Sequence, residues 1–246
     1  SEHHDSASIV GTAPEVLMAA IAATTQRIRV GSAGVMLPHY STLKVAEQFR
    51  VLEAIAPGRI DLGVGRAPGS DRATAMALNP DLHAAERFPV QVQELDLWLR
   101  GEPFPEGHPY RGIRALPQGP TTPQVWILGS SDYGAQLAAH FGLPYAYAYF
   151  FTDGRGTEEA LSLYRRNFRP GAHHAQPMAT ICVWALAADT ETEARHLLWA
   201  SSRGCGRRSC HRRPRRPTRT PRRSDQSSSA SASGPSWARA SRSPRS

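Results

Sequence analysis

The sequence predicts an α/β protein whose first 200 residues form part of a (β/α)8 TIM barrel. Short apolar runs of strand length alternate with amphipathic helical patterns, as parallel strands joined by crossover helices require. The regular alternation favours a barrel over a doubly wound sheet, which would bind a nucleotide at a Gly-rich first turn. We count five strands where a barrel needs eight and about 250 residues. We therefore expect an incomplete barrel, truncated at both ends.

The elements of the first hundred residues follow from apolar periodicity and from residues that start or stop helices. Pro14 stands in the first turn of one helix, and Ser41 is a suitable N-cap for the next, which Pro57-Gly58 ends. Residues 67–87 have no clear period and are expected to leave the barrel as an excursion. The predicted ranges are helix 14–25, strand 28–37, helix 42–56, strand 60–65 and helix 88–99. The first helix shows its spacing through Val16, Leu17, Ala20, Ile21 and Ala23.

The second hundred residues continue the alternation without an internal sequence repeat. A buried strand leads into a helix that ends at Gly142. The predicted ranges are strand 125–129, helix 131–141, strand 145–151, helix 157–168, strand 179–188 and a helix from residue 190.

Charge divides the chain into two parts. The whole sequence carries a net charge of +8, but residues 203–246 hold 13 Arg against one Asp. The other 16 basic and 20 acidic residues give residues 1–202 a net charge of −4. The tail lacks Val, Ile, Leu, Met, Phe and Tyr, so burial cannot offset its ordering entropy. We expect residues 1–202 to form the partial barrel and residues 203–246 to be a disordered Arg/Ser-rich tail.

Three origins of this tail fit its composition. Arg, Pro, Ser, Ala and Gly are what GC-rich codons give when read out of frame, and the abrupt change favours that origin. A genuine disordered linker is one alternative, and a tail that binds nucleic acid through phosphate contacts is the less favoured other.

Cys182 is the one cysteine of residues 1–202, which fits a reducing cytoplasm. No apolar run approaches the roughly 18–20 residues that span a bilayer, so we expect no membrane partner.

Glu2-His3-His4-Asp5 is the first candidate site. Adjacent residues on an extended strand point to opposite faces, so both imidazoles would rarely reach one ion. No further cluster at metal spacing follows, and we expect no metal. One histidine at a strand end, facing a barrel mouth, is suited to act as a general base near neutral pH. A structural histidine is the alternative.

Two loops after predicted strands are suited to anions. Gly63 and Gly65 would let a flat ring approach the strand, and Arg66 would emerge at the rim, where guanidinium pairs with phosphate. An ordinary surface ion pair is the alternative for Arg66. Gly129-Ser130-Ser131 joins a strand to a helix, whose N-terminus attracts anions, although Ser131 could simply cap it.

Small residues also interrupt the strand over 28–37. Ser32, Ala33 and Gly34 weaken a strand unless something packs closely against them. A flat ring and a neighbouring helix are equally suitable as the group that packs against these residues.

As a set, these segments resemble the bacterial luciferase-like flavin monooxygenases. The resemblance runs from the first residue to about residue 200. Within the family it is nearest to the oxidoreductases that share a Leu-Pro-His-Tyr segment. The matching pieces are Glu2-His3-His4, the strand from Gly31 to Pro38, Ala46-Glu47-Gln48, Pro57-Gly58-Arg59, Gly63-Val64-Gly65-Arg66 and Gly129-Ser130-Ser131.

The resemblance implies a (β/α)8 fold and a role for each matching site residue. His3 takes the position of the catalytic histidine, and Arg66 that of the arginine on the flavin phosphate. Ala33-Gly34 lie where the family has the strand under the isoalloxazine, often with a non-prolyl cis peptide. The expected cofactor-binding residues are Ala33, Gly34, Gly65, Arg66, Gly129, Ser130 and Ser131.

The implied activity is that of a flavin-dependent monooxygenase. Reduced FMN and O2 would act on a small organic substrate through a flavin C4a-peroxide, in a pocket that excludes water. The implied partners are a flavin reductase that supplies reduced FMN and a second copy in a homodimer, in the bacterial cytoplasm. An oxidoreductase that uses the deazaflavin F420, or a non-catalytic flavin-binding subunit, is the alternative.

Overall fold

The computed structural model describes residues 1–6, 11–171, 174–183 and 185–204. Two compact units divide the chain, residues 1–185 and residues 186–246. Most of the tail lies outside the described residues, so its expected disorder stays a prediction. Its first two residues, 203 and 204, close a helix.

The first unit contains a sheet of five parallel strands among its described residues, lying side by side in chain order. A doubly wound sheet would reverse that order at a switch point. Crossovers of a single hand between successive parallel strands place the helices on one face, as in a (β/α)8 barrel. The predicted barrel class is confirmed, and its described part is open. The strands are β1 (Val30–Met36), β2 (Ile60–Gly65), β3 (Gln124–Gly129), β4 (Tyr145–Tyr147) and β5 (Ala179–Ile181).

The connecting helices begin and end close to the predicted residues. Ser41 caps its helix, because its Oγ accepts a hydrogen bond from the Lys44 N–H at 3.5 Å. Gly142 ends another with φ of 64°, the left-handed conformation that glycine adopts without strain. The helices of this unit are α1 (Pro14–Thr24), α2 (Thr42–Ile55), α3 (Arg72–Leu78), α4 (Phe88–Arg100), α5 (Asp132–Phe141), α6 (Tyr149–Thr152) and α7 (Thr157–Asn167).

The hydrophobic core lies between the strands and the helices that cover them. Strand residues Leu62, Val64 and Ile127 are fully buried. Helices α2 and α4 pack against each other, as do α5 and α7, and α5 also contacts β3. The helices therefore cover one face of the sheet, and the loops at the strand ends are not part of this core.

Two predicted strands were wrong in extent, and the predicted excursion contains a helix that its sequence did not indicate. The strand over 145–151 ends at Tyr147, because the neighbouring β3 ends at its partner Gly129, and the chain then turns into α6. The strand over 179–188 likewise ends at Ile181, since β4 offers only Tyr145–Tyr147 for pairing. The excursion over 67–87 contains α3, which Asp71 caps by accepting from the Ala73 and Thr74 N–H groups.

Helix α1 buries a different face from the one its periodicity suggests. Val16 is 63% exposed, whereas Met18 and Ala22 are buried. Val51 and Ile55 of α2 are also exposed. Three of these side chains and the half-buried Ala19 line one groove between the two helices. We call the four residues the α1–α2 apolar face: Val16, Ala19, Val51 and Ile55.

The second unit contains helix α8 (Glu191–Gly204). Thr190 precedes it, and its Oγ1 accepts a hydrogen bond from the Glu193 N–H at 3.2 Å, which confirms the helix predicted from residue 190. In the part of the chain that the structure describes, no helix combines the length and the apolar character needed to cross a membrane.

Candidate active site

The predicted site residues converge on the edge where the parallel strands end. Met36 pairs with Gly65, so β1 and β2 finish together. Arg66 follows β2 directly, and Gly129 is the last residue of β3. In (β/α)8 barrels the loops at this edge carry the chemistry. The structure therefore brings the two predicted anion loops to the same side of the sheet.

Strand β1 is irregular at the small residues that drew attention in the sequence. The peptide bond between Ala33 and Gly34 is cis, as the resemblance implied for this position, and pairing with β2 shifts between Ala33 and Val35. At this irregularity the buried Ser32 hydroxyl forms hydrogen bonds with the backbone of β2. It accepts from the Gly63 N–H and donates to the Gly63 carbonyl, both at 3.0 Å.

The glycines of β2 leave less room than the sequence suggested. A Cβ on Gly63 would collide with the Ser32 carbonyl and would lie 2.6 Å from Leu128 Cδ1. The space beside Gly63 in the Cβ direction is thus occupied by the protein itself, and the approach of a flat ring to this strand stays a prediction. A Cβ on Gly65 would lie 3.2 Å from the Met36 methyl, the movable end of a flexible side chain. A ligand that approaches Gly65 from the Cβ direction would displace the Met36 methyl group.

Arg66 is placed against the start of α5. Its guanidinium carbon lies 4.0 Å from the centre of the Tyr133 ring, in the first turn of that helix. This is a cation–π contact, and Tyr133 is half-buried. Burial raises the pKa of Tyr133, and the Arg66 charge partly opposes that rise. The contact joins the two predicted anion loops and fixes a positive charge beside the N-terminus of a ten-residue helix.

Small residues let α5 begin directly at the end of β3. A Cβ on Gly134 would lie 3.2 Å from Tyr145 Cε2, so glycine at this position leaves room for the tyrosine ring. Tyr145 supports the turn by donating from its hydroxyl to the Ser131 carbonyl at 3.2 Å. In the described structure the exposed Ser131 side chain makes no capping hydrogen bond to α5. The simple capping explanation of Ser131 is therefore not what the structure shows.

The segment over residues 1–6 lies across the ends of β1 and β2. The His4 N–H donates to the Gly69 carbonyl, and the Met36 N–H donates to the Glu2 carboxylate. Glu2 is fully buried, and its carboxylate also contacts Tyr40 and His4. No local pattern predicts the role of this carboxylate, because its partners lie 34 and 38 residues away. A buried carboxylate requires such partners.

The two histidines have different environments. His4 Nε2 lies 2.9 Å from Glu2 Oε1, whereas His3 Nδ1 is buried and has no hydrogen-bond partner within the described residues. Burial lowers the pKa of His3, so its ring is neutral at neutral pH. The expected alternation along a strand does not apply, since residues 4 and 5 form a bend and Asp5 has φ of 53°.

His39 completes this corner of the site. Its Nε2 lies 2.8 Å from the Pro68 carbonyl, and its ring meets the His4 ring edge to face at 6.4 Å between centroids. Over residues 1–6, 11–171, 174–183 and 185–204, no three His, Cys, Asp or Glu side chains are arranged to hold a metal ion. The histidines are arranged around a carboxylate and carbonyl oxygens.

Taken together, the open (β/α)8 sheet, the two predicted anion loops and the buried histidine corner define the class of (β/α)8 barrel proteins with polar groups gathered at the strand ends. Sequence comparison names that class. The model of the luciferase-like monooxygenase family matches residues 1–242, and the chain belongs to this family.

Two relatives and one solved structure show the extent of the similarity. A luciferase-like monooxygenase of Escherichia coli strain K12 is 44% identical over 198 residues, 80% of this chain and 57% of its own. An N-acetyl-S-alkylcysteine monooxygenase of Bacillus subtilis is 45% identical over 169 residues, 68% of this chain and 49% of its own. The crystal structure of apo-MsnO8 matches with a TM-score of 0.71 and 40% identity, over 84% of this chain and 62% of that one. The chain thus spans roughly half to three fifths of these proteins.

Proposed function

We propose that this chain carries the flavin site of a monooxygenase that uses reduced FMN and O2 on a small organic substrate. The observation that carries the proposal is the Arg66–Tyr133 contact, which joins two anion loops at the strand ends. The family and the relatives above are monooxygenases. The choice of FMN, the uptake of oxygen and the substrate belong to the proposal.

The residues present fit a phosphate group. A guanidinium pairs with phosphate oxygens, and the first N–H groups of a helix have no partner inside the helix. Arg66 and α5 offer both, and Ser131 adds an exposed hydroxyl that makes no capping bond in the described structure. Asp132 stands in the same first turn and opposes an anion, so the balance of charge there can be tested directly.

The bound flavin would supply the activation of O2, and the residues of this chain would bind it and handle protons. Arg66, Gly129, Ser130 and Ser131 would hold its phosphate. Ala33, Gly34 and Gly65 would face its ring system, with Met36 displaced. The neutral His3 ring has a free lone pair and can accept a proton at neutral pH.

Affinity for FMN tests the proposal. Arg66→Ala should weaken binding by about 1.5–3 kcal/mol, the scale of a charge-assisted hydrogen bond. Asp132→Asn should leave binding unchanged or strengthen it, because it removes a negative charge from the same turn. Arg27→Ala is the matched control, since Arg27 precedes β1 at the opposite edge. Fluorescence titration of FMN, oxidised and photoreduced, gives the affinities. Equal affinity in Arg66→Ala and wild type would remove Arg66 from the site.

The same titration separates the alternatives. Tighter binding of F420 than of FMN would indicate an F420-dependent oxidoreductase. Binding of reduced FMN without any acceleration of its oxidation in the presence of candidate organic substrates would indicate a non-catalytic flavin-binding subunit. A flavin reductase is the partner that an FMN monooxygenase requires.

We also propose that the α1–α2 apolar face joins two copies of the chain in a homodimer. Val16 is 63% exposed, and Val51 and Ile55 are each 47% exposed, in one groove. Glu15, Lys44, Glu47 and Gln48 line the same groove, and exposed apolar side chains with polar neighbours are typical of an interface.

A further inference from the structure

Glu2 is the most completely buried charged side chain of the site, at 0% exposure. Its Oε2 accepts from the Met36 N–H at 2.9 Å, and its Oε1 accepts from the Tyr40 hydroxyl at 2.7 Å. Its Oε1 also lies 2.9 Å from His4 Nε2. The carboxylate therefore ties three separate parts of the chain together: the end of β1, the start of α2 and the histidine segment.

The chemistry of these contacts constrains the His4 ring. An ionised carboxylate only accepts hydrogen bonds, so the ring nitrogen that faces it must carry a proton. In a neutral imidazole the other nitrogen is then the acceptor. Tyr40 does not supply the proton between His4 and Glu2, because its hydroxyl proton is already used in its own hydrogen bond to Glu2 Oε1. Burial and the neighbouring Glu2 raise the pKa of Tyr40, so the tyrosine remains a neutral donor.

We propose that Glu2 is a positioning residue, which holds the histidine segment on the end of β1 and fixes His4 as the Nε2–H tautomer. His4 Nδ1 is then kept as a lone pair that can accept a proton, beside the unpartnered His3. The tautomer follows from the contacts alone, and its use in turnover rests on the proposed flavin function. Sequence position pointed to His3, but the carboxylate acts on His4.

Histidine ¹⁵N NMR of the full chain tests the tautomer without any ligand. His4→Gln identifies the His4 signals. Wild type should show a proton on Nε2 and a lone pair on Nδ1. Glu2→Gln is isosteric, but its amide cannot accept from Met36, Tyr40 and His4 at once. If the amide oxygen keeps the Met36 bond, its NH2 group faces His4 Nε2. His4 should then shift toward the Nδ1–H tautomer.

An exposed histidine–carboxylate pair with the same separation of 2.9 Å supplies the control. His83 Nδ1 lies 2.9 Å from Glu86 Oε1, with both side chains largely in solvent. Glu86→Gln should leave the His4 signals unchanged. A wild-type His4 that is protonated on Nδ1 would overturn the proposal. A Glu2→Leu His4 that stays wholly Nε2–H would also overturn it, because leucine offers no acceptor in either orientation, whereas a Gln oxygen turned toward Tyr40 and His4 would keep the wild-type tautomer. If Glu2→Gln does not fold, the His4 tautomer is compared in wild type and in Tyr40→Phe. Because Tyr40→Phe retains the Glu2 carboxylate, His4 should stay protonated on Nε2 in this variant.

A second measurement relates the tautomer to function. Glu2→Gln should bind FMN within about twofold of wild type, because the substitution leaves the phosphate loops unchanged. Its kcat should fall roughly 10- to 100-fold, the range known for residues that orient metal-bound histidines. A changed tautomer with unchanged kcat would overturn the positioning role. Failure of wild type to bind FMN would instead refute the proposed function, and the tautomer result would stand.

Discussion

Arg59 is expected to stabilise the fold by closing the C-terminus of α1. That helix has no basic residue in its last turn among the described residues, and its C-cap Thr25 is extended. The Arg59 guanidinium donates to the Ala22 and Thr25 carbonyls at 2.9 Å each, and to the Ile28 carbonyl at 2.9 Å. It also donates to Thr25 Oγ1 at 3.1 Å. The last four carbonyls of a helix lack partners inside it. The Thr25 hydroxyl donates to the Ile21 carbonyl, and the Arg59 guanidinium supplies donors to carbonyls that this local bond leaves unpaired.

The substitution Arg59→Met keeps the aliphatic stem and removes these donors. The Ile28 carbonyl lies in an exposed contact and can be hydrated, whereas the Ala22 and Thr25 carbonyls are partly buried. An unsatisfied buried acceptor costs about 1–3 kcal/mol. Two partly buried acceptors at the lower end of that range give a loss of about 2–3 kcal/mol.

Urea unfolding of the full chain measures this loss. With an m value of roughly 2 kcal/mol/M, the midpoint should fall by about 1 M and the slope should stay constant. Arg27→Met, an exposed position just after the same helix, should shift the midpoint little. A shift for Arg59→Met no larger than that control would refute the capping argument.

Three further predictions concern packing, pH and assembly. Gly63→Ala should lower stability by about 1–3 kcal/mol, because the new Cβ would lie 2.6 Å from Leu128 Cδ1. Burial lowers the pKa of His3, so the unfolded chain binds more protons as the pH falls below about 6.5 and stability is lost in acid. His3→Gln should therefore flatten the fall in unfolding free energy between about pH 7.5 and pH 5.5. Val51→Glu should convert the proposed homodimer to a monomer in light scattering coupled to gel filtration.

Each of these predictions has a matched control. A Cβ on Gly119 meets nothing within 4 Å, so Gly119→Ala should be neutral, and equal losses at both glycines would contradict the packing argument. His83 has a raised pKa because it bonds Glu86, so His83→Gln should not flatten the acid loss. Leu82 is 61% exposed outside the α1–α2 apolar face, and Leu82→Glu should leave a dimer intact. A wild-type monomer would contradict the dimer.

Much of the fold was predictable because it depends on short stretches of sequence. The strand β2 has the predicted bounds, and α2 and α5 begin within a residue of the prediction. Caps such as Ser41 and Gly142 act within one turn, so a local pattern reveals them. The loops that follow β2 and β3 could likewise be placed, because parallel strands end at one edge of a sheet.

Strand length was less predictable, because a strand lasts only as long as its neighbour. The aromatic run after Tyr145 has the composition of a strand. Its partner β3 nevertheless ends opposite Tyr147, and the run becomes α6. The apolar side of α1 was misjudged for a similar reason, since periodicity reports a helix without saying which face the rest of the fold covers.

The sequence by itself determined the alternation of the five strands with their main helices, the barrel class and the loops that carry Arg66 and Ser131. Only the tertiary structure decided that Arg66 rests on Tyr133, that Gly63 makes room for Leu128 and that Glu2 holds His4 and Tyr40. The physical reason is distance along the chain. A carboxylate at residue 2 and its partners at residues 36 and 40 share no period or motif, and only burial in one fold brings them within hydrogen-bonding distance.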